Sequence, residues 1–158
     1  MGGTLMRRIL AIDDSQIQIK QLEWILRQAG FEVVVTTDSE RGWELLQTDE
    51  FDLVLSDVLM PGMSGFELCS RIKANSALCS VPVILLTTLS RSTDIMEGMA
   101  AGADNFITKP YDRASLLQRI NGVLDSSQSP PEPEQEALLF RLRNHDYQIR
   151  SSRRQILT

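Results

Sequence analysis

From Arg8 onward, short apolar runs rich in branched residues alternate five times with longer stretches of helical period, and nothing else in the sequence restricts the fold as tightly. The runs are not polar at alternate positions. Strands of that kind are covered on both faces, as they are in a parallel sheet. The spacing predicts strands over residues 9–13, 31–36, 53–56, 83–86 and 105–108, and helices over 16–29, 39–47, 65–74, 92–101 and 112–124. Gly30 and Gly102 follow the first and fourth helices, where a helix terminus takes the left-handed conformation. Ser39 is the expected N-cap of the second helix, without a full capping box.

Five β–α units predict an α/β fold, an open doubly wound sheet with right-handed crossovers. In such sheets ligands bind beyond the carboxyl ends of the strands, at the point where the strand order reverses. That edge is where chemistry is to be sought.

Several function classes are set aside by composition. The net formal charge of the 158-residue chain is −5, so it offers no global basic surface for nucleic acid or anionic lipid. Its longest apolar stretches, such as residues 81–86, are strand-sized, whereas a membrane helix needs roughly 20 residues. The N-terminus does not read as a signal peptide, because its apolar segment runs straight into Asp13 and Asp14. Cys69 and Cys79 are the only cysteines, and His145 stands alone, so no zinc-like spacing exists. A soluble, cytoplasmic protein with two reduced thiols is expected.

The composition also divides the chain. Residues 1–7 form an N-terminal tail and residues 8–125 one domain, large enough to bury a core. Residues 126–136 are rich in Pro, Ser and Glu and read as an extended linker. Residues 137–158 carry five Arg and one acidic residue. They predict two short strands, 138–142 and 147–150, turning at Asn144-His145-Asp146, then a helix start at Ser151 or Ser152.

Asp13 and Asp14 come directly after the first apolar run, and Asp57 closes the third. Each alone reads as a turn or helix-cap aspartate. Together they place three carboxylates at neighbouring strand ends, where they repel one another; a hard cation with oxygen ligands, such as Mg2+, relieves that repulsion. The fourth run ends in Thr87 and Thr88, and the fifth in Lys109-Pro110. A lysine there is ordinarily solvated, but turned inward it is the cation that meets a phosphoryl oxygen. Acidic pair, further Asp, hydroxyl and lysine at one edge describe an acceptor for a phosphoryl group.

The segments AIDDS, LVLSDVLMPGMSG, VPVILLTT and AGADNFITKP, in this order and spacing across residues 8–125, resemble the receiver domains of bacterial two-component response regulators. The resemblance implies the flavodoxin-like strand order 2-1-3-4-5. It implies that Asp57 is the phosphoacceptor and that Asp14, Asp57 and the backbone carbonyl of Leu59 ligate Mg2+ (or Mn2+), with Asp13 acting through water. It further implies that Thr87 and Lys109 contact the phosphoryl group, and that Phe106 is an aromatic switch lacking the hydroxyl of a tyrosine. Pro61, Gly62 and Gly65 match the loop after the acceptor, and the Lys109–Pro110 bond is expected to be cis. The implied donor is a histidine kinase or a histidine phosphotransfer domain, and a phosphorylation-dependent homodimer through the fourth and fifth helices belongs to the same expectation. Leu59 and Leu89 are apolar where relatives orient the hydrolytic water, so a long-lived aspartyl phosphate is expected.

Tyr147, Ile149, Arg153, Arg154, Gln155, Ile156 and Leu157 resemble the segment after an N-terminal receiver in certain hybrid sensor histidine kinases. That resemblance implies a downstream output or kinase module beyond Thr158. A stand-alone regulator acting by protein contact is the alternative. A haloacid-dehalogenase-type phosphatase also uses an aspartyl nucleophile and Mg2+, but Asp13-Asp14-Ser15 does not supply its DxD arrangement. A DNA-binding output of about 60 to 100 residues does not fit within the short stretch after the linker.

Overall fold

The computed structural model describes residues 6–88 and 92–126, with side chains in the second segment described from Met96 onward. Five strands, β1 (Arg8–Ile12), β2 (Glu32–Thr36), β3 (Leu53–Asp57), β4 (Val83–Thr87) and β5 (Asn105–Thr108), alternate with five helices. The helices are α1 (Gln16–Gln28), α2 (Ser39–Thr48), α3 (Gly65–Ala74), α4 (Ser92–Ala100) and α5 (Arg113–Ser126). All four strand pairings are parallel, giving the doubly wound sheet that the alternation predicts, and the order is β2-β1-β3-β4-β5, the flavodoxin-like order that the resemblance implies.

The absence of polar alternation has a simple cause. Ile9, Ala11, Leu53, Leu55, Ile84 and Leu86 face one side of the sheet and pack with α1 and α5. Leu10, Ile12, Val54, Val83 and Leu85 face the other and pack with α2 and α3. Both faces are therefore core, and the buried interior positions of the central strands are apolar apart from Ser56, whose hydroxyl donates to Asp57 O.

Helix ends follow local chemistry. Gly30 and Gly102 have φ of 97° and 93°. Each closes its helix with the paired bonds of a Schellman turn, Gly30 N–H to Arg27 O with Phe31 N–H to Leu26 O, and Gly102 N–H to Met99 O with Ala103 N–H to Gly98 O. The expected cap of α2 is corrected: Asp38, not Ser39, is the N-cap, its carboxylate accepting from the Glu40 N–H. Ser39 is buried, and its hydroxyl donates instead to Met63 O at 2.7 Å, tying α2 to the loop before α3.

Among the described residues no helix is long and apolar enough to cross a membrane. Both cysteines are free, Cys79 exposed and Cys69 buried. The Cys69 thiol donates to Ala101 O, and burial pushes its pKa up to about 12. The arginine-rich tail, the linker from residue 127 and Leu89 lie outside the described residues.

Candidate functional site

Parallel pairing in register brings all carboxyl strand ends to one edge. Asp13 falls one residue past β1, Asp57 is the last residue of β3, Thr87 the last of β4, and Lys109 follows β5. Asp57 pairs with Leu86 and Thr87 with Thr108, and the Lys109 N–H donates to Thr87 O at 2.8 Å. The loop after β5 contains a cis Lys109–Pro110 bond, as expected.

Asp13 is 2% exposed and tightly held. Its Oδ1 accepts from the Ser15 N–H at 3.0 Å and its Oδ2 from Lys109 Nζ at 2.9 Å. Asp14 is exposed. Asp57 is half-buried, and its Oδ1 accepts from the Val58 N–H at 2.9 Å while lying 3.4 Å from Lys109 Nζ. Burial raises the Asp57 pKa above the ordinary carboxylate value. The negative charge of Asp13 adds to that rise, and Lys109 and the Val58 N–H oppose it without cancelling it.

Asp13, Asp14 and Asp57 each bring a carboxylate oxygen within 4.8 Å of the others. That spread suits two or three ligands around one small octahedral cation, which takes oxygen donors at about 2.0–2.1 Å and keeps several waters. The donor set is hard, so it fits Mg2+ or Mn2+ and not a thiolate- or imidazole-seeking metal. Beside the carboxylates lies a pocket of about 230 Å³, lined by Gln18, Val58, Leu59, Thr87, Thr88 and Lys109 as well as Asp57. It is large enough for a phosphoryl group.

The loop after Asp57 is held close to that residue. The Gly65 N–H donates to Val58 O at 2.8 Å, and a Cβ at Gly65 would collide with the backbone carbonyl oxygen of Asp57. Only glycine permits that approach. Leu59, whose carbonyl the resemblance assigns to the metal, has a side chain 61% exposed at the pocket mouth. Phe106 stands apart from the carboxylates. Its half-buried ring lies over Gly98 of α4, where a Cβ would collide with it and come within 3.1 Å of Phe66.

Two neighbours of the site escape sequence reasoning. Gln18, in the first turns of α1, accepts from Lys109 Nζ at 2.6 Å. Tyr111 is half-buried, and its phenol is held above its usual range first by burial and then by the charges of Asp13 and Asp57. A lone Gln on an amphipathic helix has no motif. Its only signal is the Ser15 cap, which fixes the first turn and so places position 18 at the carboxyl edge.

The family described as response regulator receiver domain matches residues 9–121. PilH of Pseudomonas aeruginosa is 35% identical over 119 residues, covering 75% of this chain and 98% of that protein. Sensory transduction protein RegX3 of Mycobacterium tuberculosis is 37% identical over 119 residues, but only 51% of its length is covered. Several curated relatives are thus about twice as long as the region they share with this chain. The solved signal receiver domain of a signal transduction histidine kinase from Syntrophus aciditrophicus superposes with a TM-score of 0.72 at 35% identity, covering 80% of this chain and 96% of that one. Sheet order, acidic edge and family match agree: this chain belongs to the response regulator receiver domains of two-component signalling.

Proposed function

We propose that Asp57 accepts a phosphoryl group from a phosphohistidine of a histidine kinase or histidine phosphotransfer domain, and that residues 8–125 act as the receiver unit in doing so. The observation that carries this reading is the convergence of three carboxylates, with oxygens within 4.8 Å of one another, two of which, Asp13 and Asp57, face a lysine whose side chain is only 12% exposed. An Asp57 oxygen forms the new P–O bond, the donor's P–N bond breaks, and the electron pair leaves with the imidazole. Mg2+ or Mn2+, when bound, would supply charge neutralisation for the phosphoryl oxygens.

The chain's own residues do the rest. Asp14, Asp57 and the Leu59 carbonyl would hold the cation, and Asp13, already fixed by Ser15 and Lys109, would support it through water. Lys109 and the Thr87 hydroxyl each take a phosphoryl oxygen. Movement of Thr87 is answered by the Phe106 ring, whose two positions differ by packing alone because phenylalanine has no hydroxyl. Leu59 offers no polar group to an attacking water, so the aspartyl phosphate is long-lived; Leu59→Asn should speed its loss.

In this reading the domain works in the cytoplasm beside its kinase, controlling an output or kinase module joined through residues 126–158, or a homodimer formed on phosphorylation. PilH, covered over 98% of its length, favours a stand-alone regulator as the second reading. The test is incubation with acetyl phosphate and Mg2+, followed by intact mass. Wild type should gain one phosphoryl group and Asp57→Ala none; equal labelling of both, or of neither, defeats the reading.

A further inference from the structure

We infer that Gln18 is the positioning residue for Lys109, its side-chain oxygen holding the ammonium at the point from which it meets a phosphoryl oxygen on Asp57. The inference rests on the phosphoacceptor reading above and adds a residue to it.

An ammonium has three N–H donors and no acceptor. Lys109 Nζ has three oxygens around it: Gln18 Oε1 at 2.6 Å, Asp13 Oδ2 at 2.9 Å and Asp57 Oδ1 at 3.4 Å. The first two are hydrogen bonds of ordinary or short length; the third exceeds the usual range of about 2.7–3.2 Å. Gln18 and Asp13 therefore fix the ammonium, and the donor directed at Asp57 is loosely engaged. That third donor is the one a phosphoryl oxygen can take without breaking either anchor.

Both anchors are built by the same turn. Ser15 caps α1, and its Oγ accepts from the Gln18 N–H at 3.3 Å. The Ser15 N–H in turn donates to Asp13 Oδ1 at 3.0 Å. One capped helix start thus orients two oxygens around a lysine that follows β5, on a stem with four flexible carbons. Charge matters as well. A neutral amide oxygen anchors the cation without adding a fourth negative charge to an edge that must receive an anionic phosphodonor.

Gln18 is exposed, so Gln18→Met, which keeps length and removes the acceptor, is expected to leave folding intact. Acetyl phosphate with Mg2+ is the probe: its P–O bond breaks, acetate leaves with the electron pair, and the phosphoryl group bonds to the Asp57 carboxylate. Four proteins are timed by intact mass: wild type, Gln18→Met, Lys109→Ala and the double variant. Gln18→Met should label Asp57 about 3- to 10-fold more slowly, the worth of one partly exposed hydrogen bond to a charged group. In the Lys109→Ala background the same substitution should change the rate by less than about twofold, because its effect passes through the missing ammonium. Calorimetric affinity for beryllofluoride with Mg2+, measured on the same four proteins, should give the same pattern without chemistry. A wild-type rate for Gln18→Met, or an undiminished effect in the Lys109→Ala background, overturns the inference while wild type still labels. Failure of wild type to label overturns the phosphoacceptor reading itself, and this inference with it.

Discussion

The two edges of the sheet carry similar ions and use them differently. At the amino edge, Arg8 faces Glu32 at 2.8 Å and Asp49 at 3.8 Å, while its backbone N–H donates to Asp52. Its guanidinium also donates to Glu50 O and lies over the Phe51 ring. At the carboxyl edge, Lys109 faces Asp13 and Asp57, with Asp14 alongside. One cation among three acidic residues describes either edge. The difference lies in burial and convergence. The planar fork of Arg8 distributes its bonds over partners that stay 40–49% exposed, so each charge remains hydrated. The ammonium of Lys109 is a point charge, and its carboxylate partners, 3% and 14% exposed, aim at the same small volume. A cation spread over hydrated partners fastens strand ends together; crowded and desolvated carboxylates make a reactive group.

The sharpest way to break this comparison is to remove one carboxylate from each edge. Asp57→Ala should abolish phosphoryl uptake, whereas Glu32→Ala should label at the wild-type rate; intact mass after acetyl phosphate treatment decides. Next in size is Gly65→Ala, which crowds the carboxyl edge sterically where the first variant emptied it. Its Cβ meets the Asp57 carbonyl, so urea unfolding should show a loss of about 1–3 kcal/mol, with labelling slowed as the acceptor backbone shifts.

A subtler effect has the opposite sign. The folded Asp57 pKa lies above its unfolded value, so its ionised form costs stability once pH exceeds the unfolded value, and the cost grows through the window between the two. In chelator, Asp57→Asn should raise the melting temperature at pH 7 by about 2–4 °C. The gain should vanish below about pH 3.9, where the carboxyl is protonated in both states. The smallest expected change is at the amino edge. Glu32→Ala should lower stability by no more than about 1 kcal/mol, shrinking further as salt is added.

The architecture was legible because its cause is repetitive. Two-sided burial writes the same apolar run at each strand, and each strand end then points to the same edge, which is why Asp13, Asp14, Asp57, Thr87 and Lys109 can be gathered from spacing alone. What spacing cannot show is competition for partners. Asp38 and Ser39 are both good caps, and only the bond from Ser39 to Met63, 24 residues away, decides between them. Gln18 is hidden for the same reason, since its partner is 91 residues distant and nothing local requires an amide there. The Arg8 cluster likewise joins residues whose charges look like solvated surface when read in order.

Lys109 reaches Asp13 across 96 residues of chain, and this distance bears on how the domain assembles. Every parallel pairing closes a long loop, so the sheet forms slowly relative to local structure. Pairing β1 with β3 brings Asp13 and Asp57 together, yet the ammonium between them arrives only with the edge strand β5. Until then the partly built sheet holds its negative charges face to face. Whenever β5 docks, that field adds to the burial of Ile107, so Lys109 also acts as a latch on this edge strand.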